Sequence, residues 1–321
     1  MRRIAKCTAA LWLAGTMGLV AAAETYPARP IKLVEPYAAR VEFGKSLSLS
    51  APKFLKQKVF IENRHGEGGA NAAAFVHAAP PDGYTLLLGR LASQIIRPAM
   101  VPATPYRWNE FTVLGVLDID PLICAVHKDV PYASARELLD AIRKQPGALK
   151  YSTVGPATNT HLSVQYMLHL AGLKRDAAVA VHFESGLEAV QAVVSGKVQF
   201  ACIAGGLIEP IKEGQLRGLF STAPGRMSVL PQLPNASEAG LRDMGRIVGW
   251  TALLGPPRLP ASIVARWKDA LDKVSRDPEW IASTIRSGGL PAIRTMGDPD
   301  QFMRDQFLLY DELITTLDLA R

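Results

Sequence analysis

Short apolar runs alternate with helical patterns along this chain, and the alternation restricts its fold more than any other feature. The segment ASARELLDAIRKQPG, with Leu138, Leu139 and Ile142 on one face, is typical of the amphipathic helices between the runs. Strands that alternate with helices predict parallel sheets covered on both faces. We therefore expect an α/β protein whose strands are IKLVEPY, KVFIENR, YTLLLGR, TVLGVL, LICAVH, KYSTV, AVAVHF, VQFACIA, LRGLFSTA and WTALLG.

Two places are candidates for a crossing between two lobes. In LGVLDIDPLICAVH two strands meet at an acidic turn, and MGRIVGWTALLGPP is a strand flanked by glycines and prolines. If both are crossings, residues 24–122 and 250–321 form one lobe and residues 123–249 form the other. Open α/β sheets bind ligands beyond the carboxyl ends of their strands. We therefore expect two open sheets with helices on both faces and a ligand cleft between the lobes.

The first residues of the chain have the pattern of an export signal. Arg2, Arg3 and Lys6 precede the apolar stretch ALWLAGTMGLV, and Ala21–Ala23 offers the small residues of a signal peptidase site. We expect residues 1–23 to be a cleaved signal peptide and the mature chain to be periplasmic.

The charge of the mature chain favours small anions over polymers. The formal net charge is +7, and removal of the leader with its three basic residues leaves 33 basic and 29 acidic residues, or +4. No Lys/Arg run of the nucleic-acid-binding type is present. A weak positive field attracts small anions without selecting a nucleic acid.

Two cysteines follow the leader, Cys124 and Cys202, and both lie in apolar strand-like runs. The periplasm permits a disulfide, but buried thiols on neighbouring strands often stay unpaired, and we favour unpaired thiols here. No Cys/His spacing resembles a metal site.

The stretch KYSTVGPATNTHLSVQYML is the strongest candidate for a binding site. A β-rich run breaks at Gly155-Pro156, passes Thr153, Thr158, Asn159 and Thr160, and enters a helix. The first backbone N–H groups of a helix have no intrahelical acceptor, and with the helix dipole they attract a carboxylate or a phosphate. Thr158 or Asn159 could instead only cap the helix. The whole cluster, placed after a strand, favours binding.

Three further residues are candidates for contacts with a ligand. His161 falls in the first helical turn, where it can contact a ligand or brace the loop, and we favour bracing. Phe183 and Glu184 lie at the junction between a predicted strand and the helix that follows it. Glu184 could contact a ligand cation, but a favourable interaction with the dipole at the helix N-terminus is the simpler explanation.

Signatures of enzymes and cofactors are missing from the sequence. There is no Gly-x-Ser-x-Gly elbow, no Walker loop and no His-Glu-x-x-His. NRHGEGGANAAAF lacks the spacing of a dinucleotide loop. Asp118 and Asp120 are interpreted as solvated or capping residues of the acidic turn and not as an acid/base pair. We expect no catalysis, no metal and no cofactor.

The motifs YPARPIKLVEPY, VFIENRHGEGG, PPDGYTLLLG, YSTVGPATNTHL, SGKVQF, EGQLRGL and LPNASEAGL occur in this order. Together they resemble the solute receptors of tripartite tricarboxylate transporters, the Bug family, over essentially the whole mature chain. The resemblance implies a two-lobed periplasmic binding protein of type II that holds a small carboxylate with backbone amides, hydroxyls and water. Carried over by motif position, the ligand-binding residues are Tyr37, Ala38, Ala39, Arg40, Arg90, Ser93, Thr153, Gly155, Thr158, Asn159, Thr160, His161 and Phe183.

The sequence departs from the family pattern around the first strand. The double glycine that family members carry there is replaced in PYAARVEFGKS, and Arg90 stands where a small hydroxyl residue is usual. Lost glycines remove a close backbone approach, and gained arginines can pair with a carboxylate instead. We expect that the cleft has changed its ligand or has lost it, that Arg90 is directed into the cleft, and that the helix around Pro52 is truncated or irregular.

The resemblance implies a receptor that captures an organic anion and delivers it to a membrane permease, with no nucleic-acid partner, as a monomer. A receptor that signals through a sensor kinase is the alternative of a different class. A periplasmic enzyme is a third reading, which the missing nucleophile–base arrangement disfavours.

Overall fold

The computed structural model describes residues 26–37, 42–156 and 158–317, so the leader lies outside the described residues. Its strands are β1 Ile31–Glu35, β2 Val59–Asn63, β3 Thr85–Arg90, β4 Thr112–His127, β5 Lys150–Thr153, β6 Val179–His182, β7 Phe200–Ala204, β8 Leu216–Ser221, β9 Val248–Gly255 and β10 Leu290–Pro291. Its helices are α1 Glu42–Leu55, α2 Ala70–His77, α3 Arg97–Met100, α4 Ala135–Lys144, α5 Asn159–Leu170, α6 Gly186–Val194, α7 Ile208–Lys212, α8 Ala261–Val274, α9 Pro278–Arg286 and α10 Pro299–Thr316. All ten candidate runs lie in strands, and the short β10 was not expected.

The strands pair in the order β2-β1-β3-β9-β4-β7-β5-β6, with β8 and β10 also paired to β4. The expectation of parallel sheets is only partly right. β1 pairs in parallel with β2 and β3, and β5 pairs in parallel with β6 and β7. The strands β4 and β9 are antiparallel to their neighbours. The sheet is therefore mixed, because β9 and β4, each antiparallel to its neighbours, lie between two parallel groups.

The strand β4 joins these two groups. The expected turn at Asp118–Pro121 is wrong, because TVLGVL and LICAVH form one continuous strand of 16 residues. The portion up to Pro121 pairs with β9, and the portion from Leu122 pairs with β7 and β8. A single strand thus belongs to both groups.

Three apolar cores hold the layers together. One lies under α1, α8 and α9 and includes Leu33 and Trp267, and another lies under α6 and includes Ile123 and Val193. The largest runs from β3 through Trp250 and α10 to α5, so it connects both groups of strands.

Two local expectations fail. The helix α1 continues through Pro52 to Leu55, so the expected irregularity at Pro52 is wrong, while the expected truncation stays a prediction. Cys124 and Cys202 are directly opposite on β4 and β7, with Cα atoms 4.1 Å apart, and they form a disulfide. Cross-strand register, which the sequence does not display, decides this pairing.

Candidate functional site

The carboxyl ends of β1 and β3 lie side by side, and each ends in a charged residue. Glu35 is the last residue of β1 and Arg90 is the last residue of β3. Because these strands are parallel neighbours, both side chains reach the same edge of the sheet. The antiparallel β4 brings Asp118 and Asp120 to this edge from the other side.

These four residues form what we call the carboxylate–arginine cluster: Glu35, Arg90, Asp118 and Asp120. Arg90 Nη1 lies 3.4 Å from Asp120 Oδ2, and Arg90 Nε lies 3.9 Å from Glu35 Oε1. Asp118 Oδ1 accepts a hydrogen bond of 2.9 Å from the hydroxyl of Thr251 on β9. Arg90 therefore contacts two acids of the sheet, and its direction into the cleft stays a prediction.

Burial dominates the electrostatics of the cluster. Glu35 is 0% exposed and Asp118 is 2% exposed. Burial raises the pKa of Glu35 to about 7, although Arg90 and the backbone of Tyr37 oppose the rise. Burial, together with the charge of Asp120, also raises the pKa of Asp118, and burial raises that of Asp120. Part of the cluster is therefore protonated near neutral pH.

The interpretation of Asp118 and Asp120 as solvated turn residues is wrong. Both lie within β4, and Asp120 fits against the backbone of Gly249, where an added Cβ would stand 3.0 Å from the Asp120 Cβ. The Asp-Ile-Asp pattern inside an apolar run was the available signal, because polar residues two apart share one face of a strand. Glu35 had a similar signal, as the acid that ends a buried strand.

Tyr37 and Ser93 lie beside the cluster. Ser93 is buried in the π-helical turn Ala92–Ile96, and its hydroxyl donates to the carbonyl of Arg90 at 3.1 Å. The Tyr37 hydroxyl donates to the carbonyl of Gly68 at 3.2 Å. A Cβ on Gly69 would meet both neighbours, at 2.9 Å from Ser93 Cβ and 3.3 Å from the Tyr37 oxygen. The predicted residues Ala38, Ala39 and Arg40 lie outside the described residues.

The second candidate region, which we call the threonine loop, comprises residues 153–156 and 158–160 of the described chain. The Thr160 hydroxyl lies 2.9 Å from the hydroxyls of both Thr153 and Thr158, and it accepts a hydrogen bond from the N–H of Val154. The Thr158 hydroxyl also donates to the carbonyl of Gly155 at 2.9 Å. The hydroxyls therefore hold the loop in shape.

Thr158 is the N-cap residue of α5, but its side chain makes no capping hydrogen bond. The alternative that Thr158 caps the helix with its side chain is thus wrong. Its hydroxyl is directed at the loop instead. The amides that start α5 therefore lack the side-chain acceptor that Ser134 supplies to α4 and Ser185 to α6.

Asn159 links the threonine loop to the C-terminal helix. Its Oδ1 accepts a hydrogen bond of 2.8 Å from the hydroxyl of Tyr310 on α10, which is fully buried. The same helix packs against the turn Ala92–Ile96 that contains Ser93. Helix α10 thus contacts both candidate regions.

His161 and Phe183 adjoin the threonine loop, but their side chains pack on other parts of the molecule. His161 stacks on Tyr151 and meets His182 edge-on, beside an open depression of about 710 Å³ at the edge strand β6. Burial and the nearby His182 lower the pKa of His161 to about 4. Phe183 packs against the core under α6, and its N–H donates to the carbonyl of Thr153. The packing of His161 supports a bracing role.

Within the described residues, no helix is long and apolar enough to cross a membrane, and no group of three or more His, Cys, Asp or Glu side chains could hold a metal ion.

Comparisons with known proteins agree with this architecture. The model of the tripartite tricarboxylate transporter family receptor matches residues 44–319. The chain belongs to this receptor family, the Bug family. A UPF0065 protein of Bordetella pertussis is 27% identical over 310 residues, which cover 95% of this chain and 93% of the relative.

Solved structures of this receptor's relatives share its fold. MatC from Rhodopseudomonas palustris with bound malate is 25% identical, with a TM-score of 0.76 and coverage of 90% of this chain and 100% of MatC. The R. palustris protein Rpa4515 with adipate is 21% identical, with a TM-score of 0.79 and coverage of 91% and 98%. The predicted α/β fold of a periplasmic binding protein is confirmed.

Proposed function

We propose that this protein is a periplasmic receptor that captures a small organic carboxylate and delivers it to the permease of a tripartite tricarboxylate transporter. Membership of the receptor family supports the capture role. The relatives solved with malate and with adipate support a carboxylate as the ligand class.

The start of α5 is the observation that carries the proposal for this chain. Its N-cap side chain makes no capping hydrogen bond, and the loop in front of it is held open by hydroxyl contacts. The dipole of α5 favours an anion at its N-terminus, by about 0.3–1 kcal/mol per charge at exposed positions. A carboxylate at this place would replace the missing cap.

The proposed mechanism is closure of two lobes around the anion, and it changes no covalent bond. The lobes are residues 24–122 with 250–321, and residues 123–249. The continuous strand β4 and the strand β9, which pair with each other near Pro121 and Val248, are the connections that would bend. Contacts from both lobes to one ligand favour the closed state.

The substitution Thr158→Asp tests the site. An aspartate at the N-cap supplies its own carboxylate to the amides of α5, so it should exclude a ligand anion. Its capping should offset part of the loss of the Thr158 hydroxyl contacts to Gly155 and Thr160. We expect isothermal titration with malate, adipate and a wider set of organic acids to detect a ligand for the native chain. Its affinity should fall at least tenfold in the variant.

The matched control is Ser134→Asp, which places the same charge at the N-cap of α4. It should leave ligand affinity unchanged. Equal binding by the native chain and Thr158→Asp would contradict the placement of the anion at α5. A complete lack of response to all acids in the set would contradict the receptor proposal.

A further inference from the structure

Two turns in different proposed lobes touch each other through glycines, and we call this the glycine contact. Gly205 follows β7, and Gly288 lies between α9 and β10. A Cβ on Gly288 would stand 2.9 Å from the Gly205 Cα and 2.8 Å from Ile208 Cδ1, and a Cβ on Gly205 would stand 2.7 Å from the carbonyl oxygen of Ser287. The two backbones are therefore in direct contact and leave no room for a side chain.

The backbone at both glycines also disfavours a side chain. The φ angle is +54° at Gly205 and +85° at Gly288. Glycine adopts this left-handed region without steric cost, whereas other residues are strained there. The conformation of each turn and the close approach of the two turns therefore both select glycine at these positions.

Both turns are anchored to β4, on either side of the place where this strand changes partners. The strand β10, which follows the turn at Gly288, pairs with β4 at Ile119. The strand β7, which precedes Gly205, pairs with β4 at Leu122. A bend of β4 between Ile119 and Leu122 must therefore move one turn against the other.

The glycine contact lies at the carboxyl end of β7. The threonine loop follows the carboxyl end of β5, which pairs in parallel with β7. Parallel neighbours end at the same edge of a sheet, and ligands of open α/β sheets bind beyond that edge. A group that pushes the two turns apart would therefore widen the cleft on the side where the anion is proposed to bind.

We propose that the glycine contact is the pivot on which the two lobes turn when the cleft opens and closes, and that a side chain at either glycine holds the cleft open. The inference rests on the proposed function and its division into lobes, and it concerns the regulation of the same site. Hinge positions at the ends of secondary-structure elements are often small residues, because the chain must change direction there without a clash.

Alanine substitutions from each side test the pivot. Gly288→Ala adds a methyl group from one lobe and Gly205→Ala adds one from the other, so both variants should separate the turns. Small-angle X-ray scattering of the mature chain without ligand should give each variant a larger radius of gyration than the native chain. Calorimetry with malate, adipate and the wider set of organic acids should show an affinity about tenfold lower, because an open cleft must first be closed.

Two glycines of the same chain provide matched controls. Gly297 has a φ of +65°, and a Cβ there would have no atom within 4 Å, so Gly297→Ala measures backbone strain alone. A Cβ on Gly206 would stand 3.1 Å from Val190 Cγ2 in its own lobe, so Gly206→Ala measures crowding within one lobe. Both controls should keep the radius of gyration and the ligand affinity of the native chain.

Gly205→Ala and Gly288→Ala with the scattering and affinity of the controls would overturn the pivot. Failure of both to fold under conditions where the controls fold would also overturn it, because turns that move against each other should yield to a methyl group. A native chain that binds none of the acids would contradict the receptor proposal alone, since the scattering of the ligand-free variants still decides whether the glycine contact sets the separation of the lobes.

Discussion

The carboxylate–arginine cluster and the threonine loop are the two candidate binding regions, and different interactions organise them. The cluster gathers four ionisable side chains at a largely buried sheet edge. The threonine loop has no ionisable side chain and is held by hydroxyl groups that bond to each other and to the backbone. The hydroxyls of the loop form hydrogen bonds within the loop itself, whereas the charge of the cluster depends on how many of its acids are protonated.

This difference has a physical consequence for stability and for binding. A neutral hydroxyl network contributes about 0.5–1.5 kcal/mol per hydrogen bond, and its contribution hardly changes with pH. Buried charges interact more strongly, and their contribution changes whenever one of them gains or loses a proton. Substitutions in the carboxylate–arginine cluster should therefore have effects on stability that depend on pH, whereas those in the threonine loop should not.

Removal of Arg90 should have the largest effect. Arg90→Ala leaves three buried carboxylates without their cation, which should lower the free energy of unfolding by about 3–5 kcal/mol at pH 8. The loss should be smaller at pH 5, where protonation neutralises the acids. Urea unfolding at both pH values measures it.

Arg64→Ala is the control for Arg90→Ala, since Arg64 pairs with Glu62 at the surface at 3.3 Å. Its cost should stay below about 1 kcal/mol at either pH. If Arg90→Ala lowered the free energy of unfolding equally at both pH values, the arginine would contribute by its packing and not by its charge.

Glu35→Gln should have the next largest effect, and its sign depends on pH. The pKa of Glu35 is about 7 in the folded chain against 4.5 as the ordinary value, so the folded state holds more protons between these values. Stability should therefore fall as the pH rises from 4.5 to 7, by about 3 kcal/mol from this group.

The Gln variant lacks this loss and should be more stable than the native chain at pH 8 but not at pH 4.5. Thermal unfolding across this range measures the difference, with Glu62→Gln as the control. Parallel pH profiles of the native chain and Glu35→Gln would contradict the buried, protonated Glu35.

Thr160→Val tests the threonine loop, which has no ionisable side chain. The substitution removes the hydroxyl that accepts from Val154 and contacts Thr153 and Thr158, so it should cost about 1–3 kcal/mol. The cost should be the same at pH 5 and pH 8. Thr104→Val, which removes one local bond to the carbonyl of Val101, should cost less. A strongly pH-dependent cost in Thr160→Val would break the distinction between the two regions.

Tyr310→Phe should have the smallest effect on stability, about 1 kcal/mol, because one hydrogen bond to Asn159 is lost. Ligand affinity should also fall a few-fold, since Asn159 begins α5. The control is Tyr151→Phe, whose hydroxyl accepts from Gln165 in the body of the same helix. It should lower stability similarly without lowering affinity, and equal affinity losses would contradict a special role of Tyr310.

The two regions were also unequally predictable. The threonine loop is contiguous in the chain, so strand, Gly-Pro break, hydroxyl cluster and helix could be read in order. The direction of the Thr158 hydroxyl could not be predicted from the sequence. A threonine at this position can cap the helix or bond to the loop, and here it bonds to the carbonyl of Gly155. The placement of His161 next to Tyr151 and His182 likewise required the packing of α5 on the sheet.

Local patterns determined the strands, the amphipathic helices and the hydroxyl-rich start of α5, because each of these depends on neighbouring residues and a short period. The tertiary structure alone decided that Glu35, Arg90, Asp118 and Asp120 meet, and that Cys124 faces Cys202. These residues are far apart in the chain, and strand order and register bring them together. Burial at that place then sets the charge of the acids, because a carboxyl group that is removed from water has a higher pKa than one that is solvated.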